Sequence, residues 1–315
     1  MTDAGARATA SGAGDSRGVS SHATPGRDVA LTFAGGGNRA FYQLGMLREW
    51  GDWLLPRTAG VATCSAGAYV FLLYLAQRWN ESWDFWLKAR EGTTQNIRFR
   101  NALSGEPMAP HGRVYRATTM HMLDGGGLER IQASPFPIWI LCAAFPRYLP
   151  GPLAVTIGLA GYQVEKALYP TRIHPRLGRA LGFRPVAIDA RTCRTREELT
   201  DAVMASSATP PFTPVVTING EPLLDGGLVD NAPAFLGDEV PGATRNLVFL
   251  TRAYPGARLR TRHRLYLAPT RPVPTHRWDY TRPHLVADTI EQGVREAAVH
   301  RPAVEEFLAA SHIAG

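Results

Sequence analysis

The chain has 315 residues, of which 45% are hydrophobic and 19% charged, so it is globular and long enough to bury a sizeable core. The formal net charge of +7 comes almost entirely from scattered arginines, since lysine occurs only at Lys88 and Lys166. No compact basic run with interleaved aromatic residues occurs, and we therefore expect no nucleic-acid partner. The sequence gives no indication of oligomeric state.

The three cysteines, Cys64, Cys142 and Cys193, are widely spaced and form no metal-binding pattern. We therefore expect free thiols, no metal and no other cofactor. The N-terminal residues lack the apolar core of a secretory signal, so a cytoplasmic protein is expected. The apolar stretch 138–159 is interrupted by prolines and an arginine, which argues against a membrane-spanning helix.

The N-terminal half predicts alternating strands and helices. Residues 1–27 are rich in small and polar residues and indicate a disordered tail. A buried strand is predicted over 29–34 and a helix over 38–50, followed by a second strand at 60–63 and a second helix at 66–78. This alternation is typical of a parallel α/β sheet.

The rest of the chain predicts one domain over 28–315, a three-layer α/β/α fold whose central sheet is mainly parallel. Residues 92–183 are interpreted as an insertion. Its apolar part, 131–169, is expected to form the core of that insertion or, alternatively, a lid or acyl-chain pocket. Further elements are predicted in this order: a strand at 184–190, a helix at 197–206, a hairpin turning at Asn219-Gly220, a strand at 246–250 and a helix at 284–310 that breaks near Pro302.

Ser65 occupies a strand-to-helix junction, Thr63-Cys64-Ser65-Ala66-Gly67. Such a sharp turn exposes the serine hydroxyl and places the positive end of the helix dipole behind it. A serine in this position is also a common helix cap, so the turn alone does not establish a nucleophile.

The glycine triplet Gly35-Gly36-Gly37 follows the first strand and precedes a helix, so its amides can converge on an anion. An acyl-transfer enzyme needs such donors for the tetrahedral oxyanion. Arg39 follows the loop and is expected to brace it or to contact an anionic substrate. The pattern also fits a dinucleotide fingerprint, but the second strand does not end in the acidic residue which that fold requires.

Asp225 follows an apolar run and precedes two glycines, in the segment Leu224-Asp225-Gly226-Gly227. Asp-Gly is a frequent hairpin turn, which is the simplest interpretation of this dipeptide alone. If the fold brings Asp225 to Ser65, a partly desolvated carboxylate would be basic enough to accept the serine proton.

Together these motifs resemble the patatin-like phospholipases. The resemblance rests on Gly-Gly-Gly-x-Arg at 35–39, the serine elbow at 63–67, Ala-Ser-Ser-Ala-x-Pro-x-Phe at 205–212 and Asp-Gly-Gly-x-x-x-Asn-x-Pro at 225–233, and it covers about residues 28 to 235. It implies a Ser65–Asp225 dyad without histidine, and an oxyanion hole formed by Gly35, Gly36 and Gly37. It also implies hydrolysis of lipid acyl esters. Peripheral contact with a membrane is a separate expectation, because Trp83, Trp86 and Trp139 can seat on a lipid interface.

Thr63 departs from the family pattern, which has glycine two positions before the nucleophile. Its branched side chain predicts either an elbow that finds room for it or a relaxed site with weak or lost activity. A Ser…Asp…His order with His263, His276, His284 or His300 is a less favoured alternative. An acyltransferase would use the same acyl-enzyme, and a non-catalytic lipid-binding protein is the third hypothesis.

Overall fold

The computed structural model describes residues 26–98, 101 and 108–310. Residues 1–25 of the expected N-terminal tail lie outside the described residues. Eight strands are formed by the described residues: β1 Val29–Phe33, β2 Thr58–Cys64, β3 Ile138–Ala144, β4 Arg184–Asp189, β5 Val216–Ile218, β6 Glu221–Asp225, β7 Arg245–Phe249 and β8 Arg264–Leu267.

The described residues also form helices, most of which lie between these strands along the chain. They are α1 Phe41–Leu54, α2 Ala66–Ala76, α3 Trp79–Ala89, α4 His111–Met122, α5 Gly127–Gln132, α6 Gly151–Leu168, α7 Leu177–Ala180, α8 Arg196–Ser206, α9 Gly227–Asp230, α10 Ala234–Asp238 and α11 Pro283–Ala309.

The strands form one mixed sheet in the order β5-β6-β3-β2-β1-β7-β8, with β4 also paired to β3. The pairs from β3 through β2, β1 and β7 to β8 are parallel. Antiparallel pairing is confined to β4, β5 and β6 at one side of the sheet. Helices cover both faces, so the three-layer α/β/α prediction with a mainly parallel sheet is confirmed.

Because side chains alternate between the two faces of each strand, the sheet has an apolar core on each face. Leu31 and Phe33 of β1 point into the main core with apolar residues of α1, α2, α8 and α11. Ala62 of β2 and Leu141 of β3 point to the opposite face, where Leu236 of α10 covers them. The central strands are therefore buried on both sides, as parallel sheets require.

The prediction that 92–183 is an insertion is wrong for residues 138–144, which form the sheet strand β3. Residues 138–144 pair in parallel with β2 and lie at the centre of the sheet, because their apolar run is a buried strand rather than the core of an added module. Among the described residues, the rest of the segment contains α4, α5, α6 and α7. The predicted break in the C-terminal helix is also wrong, since α11 continues through Pro302 and buries Val304 and Phe307 beyond it.

The helix predicted at 197–206 and the hairpin predicted at Asn219-Gly220 are both present. Thr195 caps α8 by accepting a hydrogen bond from the amide of Glu198. Asn219 and Gly220 both have positive φ values, 51° and 79°, and connect β5 to β6 as a tight hairpin.

One edge of β3 brings two distant chain segments together. Residues 138–141 of β3 pair with β2, which ends at Cys64 opposite Leu141. Residues 142–144 pair with β6, which runs the other way and ends at Asp225 opposite Cys142. Because β4 occupies the other edge of β3, β2 and β6 must meet end to end along this one. Ser65 directly follows the last residue of β2, and Asp225 is itself the last residue of β6.

Candidate active site

Ser65 forms a sharp elbow between β2 and α2. Its backbone has φ 53° and ψ −131°, a strained conformation for a residue with a side chain, and the amide of Ala68 donates to its carbonyl to begin the helix. Gly67 permits this geometry, because a Cβ there would lie 2.6 Å from the Phe33 carbonyl oxygen. The Ser65 amide donates to the Ser206 hydroxyl at 2.8 Å, which in turn donates to the Leu141 carbonyl.

Thr63 is accommodated in this elbow. Its side chain is fully buried, and its hydroxyl donates to the carbonyl of Trp139 on the neighbouring strand β3 at 2.9 Å. The branched side chain suits a strand, and its polar atom has a partner. The elbow therefore forms with Thr63 in place of the small residue of the family pattern.

Asp225 is held close to Ser65 by the meeting of β2 and β6. Its carboxylate accepts hydrogen bonds from the Gly227 amide at 2.7 Å and from the Thr209 hydroxyl at 3.3 Å. Burial raises the pKa of the Asp225 carboxyl, and this outweighs the opposing effect of the donors around it, of which the Gly227 amide is the strongest. The result is a carboxylate more basic than an ordinary aspartate, in the same cleft as Ser65.

Cys64 lies beside the dyad as a buried thiol. Its Sγ is 3.8 Å from an Asp225 carboxylate oxygen. Burial, followed by the charge of Asp225, raises the pKa of this thiol well above its usual value, so it stays protonated and is not a thiolate nucleophile.

The glycine loop is tied to the segment that carries Asp225. The Gly35 amide donates to the Asn231 carbonyl at 2.9 Å, and the Gly35 carbonyl accepts from the Asn231 side chain at 3.1 Å. Gly35 therefore anchors the loop. The sequence predicted its amide to be an oxyanion donor, but that amide is already bound to the Asn231 carbonyl. The amides of Gly36 and Gly37 have no intramolecular acceptor among the described residues, and both glycines line the cleft that contains Ser65.

Glycine is required at position 37 by two features. Its φ is +57°, and a Cβ there would lie 2.2 Å from the carbonyl oxygen of Arg277. The loop therefore presses against the segment containing Arg277, with the Asn38 amide donating to the same carbonyl at 3.1 Å.

Two cavities meet at Ser65. The first, here called the cationic cleft, has a volume of about 950 Å³ and contains Ser65 and Asp225 together with the side chains of Arg39, Lys166, Arg252 and Arg277. Arg39 braces the loop with a long hydrogen bond, 3.4 Å, to the Gly36 carbonyl. Burial, reinforced by repulsion from Arg277, lowers the pKa of Arg39 to about 10.

The second cavity, here called the aromatic pocket, has a volume of about 610 Å³ and extends from Ser65 to the other side of the elbow. Its lining is dominated by aromatic and apolar side chains: Phe41, Tyr69, Val70, Trp86, Tyr115, Trp278 and Tyr280. The apolar segment 131–169, proposed from the sequence as an acyl pocket, contributes none of this lining. It contributes Leu159, Tyr162, Gln163 and Lys166 to the cationic cleft instead.

The Ser…Asp…His alternative finds no support in the hydrogen bonds that the described residues form around Ser65 and Asp225. Among the described residues no histidine is hydrogen-bonded to Ser65 or Asp225, and this includes the four alternatives considered from the sequence, His263, His276, His284 and His300. His111 lines the aromatic pocket, but its Nε2 is bound to the Trp278 carbonyl at 2.8 Å.

Three supporting residues were not assigned roles from the sequence. Ser206 fixes the elbow, Thr209 donates to the Asp225 carboxylate, and Asn231 holds the glycine loop. All three lie within the motifs at 205–212 and 225–233. Their positions were therefore visible as part of a pattern, whereas their hydrogen-bond partners lie far away in the sequence.

The α/β/α fold carries a serine elbow, an aspartate in the same cleft and an adjoining glycine loop. A family model described as patatin-like phospholipase matches residues 31–237, and the chain belongs to this family of lipid acyl hydrolases. The resemblance inferred from the four motifs is thus confirmed. No curated protein sequence matches the chain.

None of the helices that the described residues form is long and apolar enough to cross a membrane. In the same part of the chain, all three cysteines are free and buried.

Proposed function

We propose that this protein is a serine acyl hydrolase that cleaves carboxylic esters of lipids through an acyl-enzyme on Ser65. The observation that carries the proposal is the placement of Ser65 and Asp225 in one cleft, at the point where β2 and β6 meet along β3, with the Asp225 carboxyl buried so that its pKa is raised. A serine hydroxyl is a weak nucleophile and requires an adjacent base, and Asp225 meets this requirement.

In the first half-reaction, Asp225 accepts the Ser65 proton while the serine oxygen bonds to the substrate carbonyl carbon. The carbonyl oxygen becomes an oxyanion, which we assign to the unpartnered amides of Gly36 and Gly37. Collapse of this intermediate breaks the ester C–O bond, and the alcohol oxygen leaves with the proton held by Asp225.

In the second half-reaction, water attacks the acyl-enzyme. Asp225 accepts the proton of that water, the carboxylic acid is released, and the proton returns to Ser65. An acyltransferase would differ only in the acceptor, since an alcohol or amine would replace water. The cleft beside Ser65 is open to solvent, which favours water as the acceptor.

The two cavities suggest how an ester is oriented. We assign the acyl chain to the aromatic pocket, because apolar chains need an apolar cavity, and the alcohol group to the cationic cleft. The same arrangement gives little support to a non-catalytic role, since a lipid-binding protein needs neither a strained serine nor a buried base.

We also propose peripheral contact with a membrane, made by the segment 148–169. Five large apolar side chains of this segment are exposed: Tyr148, Leu153, Val164, Leu168 and Tyr169. Because α6 also lines the cationic cleft, a lipid surface at this segment would place substrates at the cleft entrance. A cytoplasmic location, consistent with free cysteines, remains part of the proposal.

The test of the catalytic proposal is covalent labelling. A fluorophosphonate probe should modify Ser65, as located by peptide mass spectrometry, and Ser65→Ala should abolish the adduct. Asp225→Asn should slow labelling by about 10²- to 10⁴-fold, the usual contribution of a general base. Asp288→Asn is a matched control, since it makes the same replacement at an exposed aspartate outside both cavities, and it should label at the wild-type rate. A folded wild-type protein that resists the probe would overturn the proposal.

A further inference from the structure

Four cationic side chains line the cleft beside Ser65. Arg39 follows the glycine loop, Lys166 lies on α6, Arg252 follows β7, and Arg277 lies in the segment before α11. All four are half-buried. They come from four separate parts of the chain, so the fold, and not a local run of basic residues, collects them.

Carboxylates do not neutralise this cluster. Among the described residues, none of the four cations lies within ion-pair distance of an acidic side chain. Glu165, the neighbour of Lys166, is committed to Arg172 at 2.7 Å and to the amides of Arg176 and Leu177. The only carboxylate in the cleft lining is Asp225 itself.

The cations repel one another, which is unfavourable unless an anion joins them. Burial, followed by the charges of Arg277, Arg39 and Arg252, lowers the pKa of Lys166 to about 8. Arg277 makes no side-chain hydrogen bond or ion pair within the described part of the chain. Arg252 packs on the ring of Tyr254, with its guanidinium carbon 3.8 Å from the ring centroid, and reaches the Pro170 carbonyl.

We propose that the cationic cleft selects esters whose alcohol group carries a phosphate dianion. This inference rests on the proposed function, in which the alcohol side of the ester occupies that cleft. A phosphomonoester brings two negative charges to the four cations. A zwitterionic phosphodiester brings one negative charge and an ammonium group that the same cations repel, and a neutral glyceride brings none. Arg252 and Arg277 lie outside residues 31–237, so this selectivity is not carried by the segment that defines the family.

The test compares three soluble esters with the same short acyl chain, linked to glycerol 3-phosphate, to glycerophosphocholine and to glycerol. We expect kcat/KM for the phosphate ester to exceed that of the other two by at least about tenfold, the value of one hydrogen bond to a charged group. Arg277→Gln should reduce this preference by roughly tenfold, and Arg252→Gln should do the same. Because the esters remain monomeric, attraction to a charged interface does not contribute.

Arg258→Gln is the matched control, since it removes the same charge from an exposed side chain that lines neither cavity. It should leave the preference unchanged. Equal kcat/KM values for the three esters, or an unchanged preference in both Arg277→Gln and Arg252→Gln, would overturn the inference. A coenzyme A thioester serves as a fourth substrate: hydrolysis faster than that of the phosphate ester would support the same phosphate chemistry with a soluble carrier, not a lipid, as its source.

A binding measurement distinguishes failure of the phosphate-site inference from failure of the catalytic proposal. Glycerol 3-phosphate is titrated calorimetrically into Ser65→Ala, with and without Arg277→Gln. Binding that Arg277→Gln weakens, in a protein whose wild type hydrolyses no ester, would uphold the phosphate site and reject the hydrolase. Hydrolysis of all three esters without preference, and no binding of glycerol 3-phosphate, would uphold the hydrolase and reject the phosphate site.

Discussion

The environment of Asp225 determines how the activity depends on pH. Its pKa is raised by burial, and the dyad works only with the carboxylate deprotonated. Activity should therefore be constant at higher pH and should fall as pH decreases through the Asp225 pKa, at a pH above that of an ordinary aspartate. The pH profile of kcat/KM on a neutral ester measures this. An acid limb at the pKa of an exposed aspartate would contradict it.

Thr63 gives a second prediction at the level of single residues. Replacing it by glycine, as in the family pattern, removes a buried side chain and the hydrogen bond to Trp139 and adds backbone freedom within a strand. We expect Thr63→Gly to lower the free energy of unfolding by about 1–3 kcal/mol without raising kcat. Denaturant unfolding and ester hydrolysis measure the two quantities. The control is Thr63→Ser, which keeps the hydroxyl and should lose less stability. A large gain in kcat for Thr63→Gly would show that Thr63 restrains the site.

For single residues, the local motifs predicted that Ser65 and Asp225 belong to one site, and both line the same cleft, but the motifs said less about what holds them. Ser65 and Asp225 were identified because their local turns are recognisable. The role of Gly35 was assigned incorrectly, because the sequence does not show that its amide is engaged by Asn231. Hydrogen bonds between residues far apart in the chain depend on the completed fold.

Among the elements, α1 and α11 cross at unusually short range. A Cβ added to Gly293 would lie 2.1 Å from the Tyr42 carbonyl oxygen, and one added to Gly45 would lie 2.1 Å from that of Ile290. Both contacts are with backbone atoms, which cannot rotate away. The two glycines therefore set the distance between the helices.

We predict that Gly293→Ala destabilises the protein by about 1–3 kcal/mol through overpacking, although alanine is the better helix former. Gly151→Ala is the control, because a Cβ there meets only the Phe145 ring at 3.7 Å, an ordinary contact. It should be neutral or slightly stabilising. Denaturation midpoints compare the two variants, and equal midpoints would contradict the close crossing.

Helices, strands and turns with a local sequence signal were predicted correctly. Those whose structure depends on tertiary packing were not. The turn at Asn219-Gly220 is local, and it was predicted. The run 138–144 was interpreted as part of an insertion, because a short apolar run does not reveal whether it enters a sheet. Pro302 predicted a helix break, but burial of Val304 and Phe307 holds the last turns in place.

For the whole molecule, net charge and exposed apolar side chains predict reversible membrane binding. The chain carries +7, and Leu168 and Val164 are 67% and 51% exposed on α6. We expect binding to vesicles that contain anionic lipid, weakened at high salt because exposed charges are screened. Vesicle co-sedimentation should show about tenfold weaker binding for the double variant Val164→Ser and Leu168→Ser.

The control for this experiment is Val299→Ser. Val299 is 63% exposed but lies on α11, outside the segment 148–169. Its replacement should leave vesicle binding unchanged. If it weakens binding as much as the α6 variant does, general surface hydrophobicity and not this segment accounts for the interaction.

The end-to-end meeting of β2 and β6 along β3 also affects when the protein becomes reactive during its synthesis. Ser65 emerges from the ribosome early, but its proposed base, Asp225, is the last residue of β6, which can reach Ser65 only after β3 has joined β2. Pairing between such distant segments forms late, because a long intervening chain must first be ordered. A nascent or truncated chain that ends before residue 225 therefore carries Ser65 without the base proposed for it, and we expect such a chain to be inactive.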